Sequence, residues 1–170
     1  MNELEFKKYK TVSAGIMLYR YHSGGIEVLL GNPGVPYWIN RHGEGCWEIP
    51  KGKVEDNEDI YEAAIREFEE ETNITVPTDV DHIYLGTSLQ KRKEKLVHAW
   101  AVSTDIPDSE INFESNTCTI EWPKGSGQKI EINELRIVEF FPIEEAKKMV
   151  MEYQIIFLER LEEYLEVNDI

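Results

Sequence analysis

The sequence predicts an α/β fold, with a mixed β-sheet and helices packed on its faces. Three observations carry this expectation. Short runs of β-branched and apolar residues recur along the chain, one amphipathic helical pattern starts at Asp59, and a second helical stretch closes the chain at about 153–167. The strand-like and helical segments do not alternate as regular βα units, which argues against a doubly wound parallel sheet. A length of 170 residues suits one domain, 1–170, with the terminal helix packed on it.

The elements follow in order. "TVSAGIMLYRY" (11–21) reads as a strand, and "IEVLLG" (26–31) as a second. "HSGG" between them is a turn signal, so the two form a hairpin. The Pro/Gly-rich "NPGVPYWINRHGEG" (32–45) is a loop, and "CWEIP" (46–50) is a short strand stopped by Pro50. From Asp59 the pattern turns helical, with Ile60, Ala64 and Phe68 recurring at i+4 and Ile65 alongside. Asp59 and Glu62 resemble a capping box, and Asn73 ends the helix ahead of Ile74, Thr75, Val76 and Pro77. "HIYLGTSLQ" (82–90) and "KLVHAWAV" (95–102) are strands joined by the charged turn "KRKE", "CTIEW" (118–122) is a short strand, and 129–141 holds further strand-like stretches. Residues 143–150 and 153–167 are helical, the latter with Ile155, Leu158, Leu161 and Leu165 at helical spacing.

Apolar residues make up 41% of the chain and charged residues 30%, as in a globular protein, and the formal net charge is −15. Phosphate backbones and anionic membranes need Lys and Arg, so the balance argues against both a nucleic acid and a membrane as partner. A small anionic substrate is still compatible, provided local cations or a bound metal cover its charge. Cys46 and Cys118 are the only cysteines and are expected to be free thiols of a reducing compartment. "MNELEFKKYK" has no signal-peptide layout, and a cytoplasmic protein is the expectation.

The stretch "GKVEDNEDIYEAAIREFEEET" (52–72) carries the chemistry. On a helix, Glu67, Glu70 and Glu71 share a face, within an arc of roughly 100°. Like charges at these spacings cost about 0.2–0.5 kcal/mol per pair. Arg66 pairs with Glu70 alone at i+4. A solvated acidic face accounts for the cluster, and so does a hard divalent cation, because Mg²⁺ takes oxygen ligands and keeps some waters and phosphate oxygens.

The spacing separates the two. Gly52, Glu58 and the run Arg66-Glu67-Phe68-Glu69-Glu70-Glu71-Thr72-Asn73-Ile74 resemble the Nudix box, G-x5-E-x7-R-E-U-x-E-E-x-G-U, with Asn73 in place of the glycine. Asn tolerates the left-handed conformation of a helix C-cap better than most residues do. The resemblance implies a Nudix α/β/α sandwich around a mixed sheet, with the box as a loop-helix-loop. It implies hydrolysis of a nucleotide pyrophosphate linkage by water attack on phosphorus, with Mg²⁺ or Mn²⁺ as cofactor. By their place in the box, Glu67, Glu70, Glu71 and the Gly52 carbonyl are the implied metal ligands, and Glu58 with Arg66 the orienting pair. A carboxylate outside the box often joins them: Glu134 is the first candidate, Glu131 and Glu139 follow, and Glu67 is the alternative general base. "SAGIMLYRY", "WEIPKGKVE", "VHAWAV", "EWPKGSG" and "FLERL" extend the similarity to a group of predicted NTP pyrophosphohydrolases, and W-x-x-P-K-G is common in diadenosine tetraphosphate hydrolases.

On the substrate side, Lys51 and Lys53 flank Gly52 and suit phosphate, or are two solvated lysines. Tyr37, Trp38, Trp47 and Trp122 each offer a face for a base, or pack in the core. His98 is a phosphate contact, a base or a satisfied strand histidine. His42 has no partner legible in the sequence, and "KRKEK" (91–95) reads as a solvated turn before a phosphate-facing patch. The expected substrate is a dinucleoside polyphosphate or an NTP. A nucleoside diphosphate sugar, ADP-ribose or a non-catalytic nucleotide sensor are the alternatives.

Overall fold

A computed structural model describes residues 8–168. Strands β1 (Thr11–His22), β2 (Gly25–Pro33), β3 (Lys51–Lys53), β4 (His82–Gln90), β5 (Lys95–Ser103) and β8 (Leu135–Pro142) form one sheet. Its path is β4-β5-β1-β2-β8, with β3 paired to β1. β1 and β5 run parallel from Thr11↔Lys95 to Tyr19↔Ser103, and the other pairs are antiparallel, so the sheet is mixed as expected. β6 (Thr117–Glu121) and β7 (Lys129–Asn133) form a separate two-stranded ribbon. The helices are α1 (Ile60–Thr72), α2 (Ile143–Met149) and α3 (Ile155–Val167).

Helices cover both faces of the sheet, which is why β1 reads as a continuous apolar run. Val12, Ala14, Ile16 and Leu18 pack with Ala63, Ala64 and Phe68 of α1. Met17 and Tyr19 face the other way, onto Ala146 of α2 and Phe157, Leu158, Leu161 and Leu165 of α3. The alternation along one strand thus feeds two cores.

The hairpin turn at Ser23-Gly24 has positive φ at both residues, the backbone a two-residue β-turn needs. "CWEIP" departs from expectation. The strand falls later, at Lys51–Lys53, while Trp47 and Glu48 make isolated bridges to Val150 and Gly31. The physical reason is that the segment divides its backbone bonds: Glu48 exchanges N–H and C=O with Gly31, and Trp47 bonds Met149 and Met151. Pro50, with no N–H, then lets the chain turn onto β1 at Gly15, where a Cβ would lie 2.6 Å from the Pro50 carbonyl.

α1 begins and ends where predicted. The Asp59 carboxylate accepts from the N–H groups of Tyr61 and Glu62, and Asn73 adopts the left-handed conformation (φ 59°, ψ 21°), its N–H donating to Glu69 O. The buried face differs from the apolar stripe. It holds Ala63, Ala64 and Phe68 but also Glu67 and Glu71, while Ile60 and Ile65 are only partly buried. Two carboxylates therefore point inward. Residues 1–7, where most of the signal-peptide reading falls, lie outside the described residues. Among the described residues no helix is long and apolar enough to cross a membrane.

Candidate active site

The site is built on the C-terminal half of α1 and the Gly52 turn of β3. Glu67, Glu71 and Glu134 bring carboxylate oxygens within 4.8 Å of one another. Glu67 lies against Gly52, where a Cβ would sit 1.9 Å from its Oε2. Any side chain at position 52 displaces that carboxylate, so glycine is needed here for space. Glu71 accepts from the Lys51 N–H at 3.0 Å. Glu134 lies between β7 and β8. It is fixed by backbone bonds to Asn116 and Gly34, and its side chain accepts a long 3.4 Å contact from Asn116 Nδ2.

Segment 112–116 straps this third carboxylate to the helix. Glu114 and Asn116 donate backbone N–H groups to Thr72 O and Glu70 O, carbonyls that the end of α1 leaves free. Asn73 Nδ2 donates to Asn112 O.

Arg66 organises the box. Its Nε and Nη2 hold both oxygens of Glu58, at 2.7 and 3.0 Å. Nη1 reaches Glu67 Oε1 at 2.9 Å and Glu70 Oε2 at 3.2 Å, and Nη2 also donates to Lys53 O at 3.2 Å. Glu58 in turn accepts the Glu55 N–H, closing the loop that carries Gly52. The Arg66 hydrogen bonds hold the Glu58 carboxyl below the usual carboxylate range. Burial pushes Glu67 upward, with Arg66 offsetting part of the shift. Burial and the neighbouring Glu48 charge push Glu71 well above the ordinary value, with Lys51 in partial opposition.

Glu48 carries a signal that sequence reasoning missed. It pairs with Lys51 Nζ at 3.1 Å, with both side chains largely buried. Burial alone lowers the affinity of Lys51 for its proton, yet the Glu48 charge outweighs it and the net shift is upward. The opposite charges in "WEIPK" were the available clue.

The carboxylates open onto a groove of about 1310 Å³. Lys51, Lys53, Tyr37 and Trp38 line it, as do Glu48, Tyr153, Cys118 and Ile132, which were not anticipated. Lys91, Arg92, Lys93 and Lys95 edge the same groove, so the basic turn faces it instead of bulk solvent alone. Glu70 is half-exposed on the helix flank and stands outside the close carboxylate trio. Glu131 and Glu139 are exposed and do not line the groove. Trp47 is a core residue, stacked edge-on to Phe141 with its indole N–H on His42 O. His98 is buried on the α1 face of the sheet, away from the groove, with Nδ1 bonded to the Tyr84 hydroxyl at 2.9 Å. Cys46 and Cys118 are free thiols.

All three clustered groups offer hard oxygen donors, and two are buried, so ionising them together is opposed unless a cation or a proton offsets the charge. The residues present fit a divalent metal.

Comparisons with known proteins agree with this geometry. A NUDIX domain family model matches residues 10–161. The bis(5'-nucleosyl)-tetraphosphatase (asymmetrical) of Caenorhabditis elegans is 37% identical over 99 residues, covering 56% of this chain and 67% of that relative. An RNA pyrophosphohydrolase of Histophilus somni is 40% identical over 49 residues, 29% of this chain, and the match spans only 25% of that relative's length. Among solved structures, the C. elegans Ap4A hydrolase binary complex aligns with a TM-score of 0.66 at 25% identity, covering 91% of this chain and 98% of that one. The NUDIX domain of Shewanella oneidensis NrtR, complexed with ADP ribose, shares the fold with a TM-score of 0.60 at 16% identity, covering 97% and 99%.

Proposed function

From the premise that this chain belongs to the NUDIX family, whose relatives here hydrolyse nucleotide pyrophosphate linkages, we propose that it cleaves a dinucleoside polyphosphate or an NTP with Mg²⁺ as cofactor, Mn²⁺ substituting. The observation that carries the reading is the trio Glu67, Glu71 and Glu134 beneath a groove with a cationic edge. Acid at the floor suits metal, and Lys51, Lys53 and the 91–95 turn suit phosphates beyond it.

Glu67, Glu71 and the Gly52 carbonyl would hold the metal, with Glu70 joining from the flank. A divalent ion supplies charge neutralisation of the phosphates and a lowered pKa of attacking water. Arg66, itself aligned by Glu58, keeps Glu67 in register. Glu134 is the least buried of the trio and would take the proton of the attacking water. Tyr37 and Trp38 offer the base a stacking face at the groove mouth.

A panel of diadenosine polyphosphates, NTPs, nucleotide sugars and ADP-ribose, read by product identity with Mg²⁺ present, tests the assignment. Turnover of a dinucleoside polyphosphate or an NTP in preference to the rest is expected, with Glu71→Gln losing it while staying folded. Preferential cleavage of ADP-ribose or a nucleotide sugar moves the substrate class. Tight binding without turnover identifies a sensor instead.

A further inference from the structure

A second cavity, of about 750 Å³, lies on the α1 face of the sheet. That size is within the range of small-molecule sites. Its floor is aromatic. His98 and Trp100 follow each other on one face of β5, their rings 19° from parallel. Tyr84 of β4 lies 21° from the His98 plane, with its ring 4.8 Å from that of Trp100. Tyr61 of α1 closes one side edge-on, 5.4 Å from Trp100.

The backbone is bent to present this floor. Residues 84 and 87 both line the cavity, although residues three apart on a regular strand face opposite ways. A bulge makes this possible. The pairing passes from Tyr84↔Trp100 to Thr87↔His98, with Gly86 between them at φ +79°. Arg160 of α3 holds the bulge from the other face, donating to Leu85 O and Thr87 O at 2.8 and 2.9 Å. Tyr84 is thereby left 52% exposed on this floor. Beneath it His98 is 5% exposed, and its buried Nε2 has no partner among the described residues. Buried polar atoms are normally paired.

The chemistry of the walls selects the ligand. Tyr84 and Trp100 are tilted 40° to each other, so the exposed Tyr84 ring is the face open to a planar ring system, with Trp100 beside it. Glu58 and Asp59 form the polar end, and Lys8 is the one cation among the described lining residues. Glu58 is already paired with Arg66, but Asp59 caps α1 through Oδ1 alone, and a carboxylate there repels phosphate and accepts from an exocyclic amino group. The carboxylate groove, with its Lys and Arg edge, has the opposite character. We propose that the aromatic cavity is a second binding site, taking an uncharged purine nucleoside by stacking on Tyr84 with Trp100 at its edge. It is independent of which polyphosphate the groove accepts.

Adenosine titrated into the metal-free full chain tests this, followed by amide and indole N–H shifts. Saturable shifts at Tyr84, Thr87 and the Trp100 indole are expected. Tyr84→Ala should weaken binding about five- to a hundredfold, the range for loss of a stacking ring. Tyr84→Phe keeps the ring and should bind within about threefold. Glu71→Gln should not alter binding. The site is ruled out by shifts confined to Trp38, Lys51 and Tyr153 of the groove, by undiminished binding in Tyr84→Ala, or by no saturable shift up to about 10 mM adenosine.

Discussion

Arg66 is the residue through which most of the site's order passes. It spends one edge of its guanidinium on Glu58 and the other on Glu67 and Glu70. Glu58→Gln breaks the bidentate pair and leaves Arg66 free to rotate off Glu67. The expected result is a loss of about 10–100-fold in Mn²⁺ affinity, as for partners that orient metal ligands, measured by calorimetry on folded protein. Lys95 gives a pH signature. Burial, then the Lys51 and Lys93 charges, pulls its pKa down to about 8. Its ammonium is therefore present below pH 8 and lost above, and KM for a polyphosphate should rise as pH passes 8. Lys95→Met should show a high KM at every pH and no step. The folded chain binds this proton less tightly than an unfolded chain whose lysine keeps the ordinary 10.5. The contribution of this group to stability accordingly rises as pH climbs from 8 toward 10.5. The sequence made the box residues legible because their spacing is periodic on one helix. It left Glu48 and Tyr153 hidden, because they enter the groove from segments joined only by tertiary pairing.

At the scale of elements, the ends of α1 are legible in the sequence and its buried face is less so. Caps are local: Asp59 and Asn73 act on backbone groups within a few residues, so sequence suffices. Which face is buried depends on what packs there, and the sheet takes Ala63, Glu67 and Glu71 in place of Ile60 and Ile65. The same limit displaced the short strand from 46–50 to Lys51–Lys53, since Gly31 and Met149 claim the earlier residues. Asn73 has a measurable consequence. Alanine there must hold a left-handed backbone and also loses the bond to Asn112, so Asn73→Ala should cost about 1–2 kcal/mol in urea unfolding. Asn73→Gly keeps the backbone freedom and loses only the Asn112 bond, at about 1 kcal/mol or less.

For the whole molecule, the expected mixed sheet with helices on both faces is what forms, and the two cores follow from the alternation along β1. Strand order was not legible. The parallel partner of β1 is β5, far along the chain, and no local pattern announces it. Ligand binding should be visible globally. Mg²⁺ or Mn²⁺ should raise the melting temperature in proportion to the logarithm of concentration once the site fills, by mass action on the folded state. Glu71→Gln should remove that dependence, and a metal response that survives in Glu71→Gln would place the ion elsewhere.

The β1–β5 pairing also sets an order of events in time. Gly52 and the glutamates of α1 all lie in the stretch that Thr11↔Lys95 encloses, and Glu134 is reached only after β5 has passed. Closing so long a loop is slow, and its entropy must be met before the contacts it permits form. A trio that meets only after the folding barrier has been crossed makes a specific kinetic prediction. A divalent cation should leave the refolding rate in stopped-flow unchanged and slow unfolding, so that it acts as a brake on opening and not as a template for assembly.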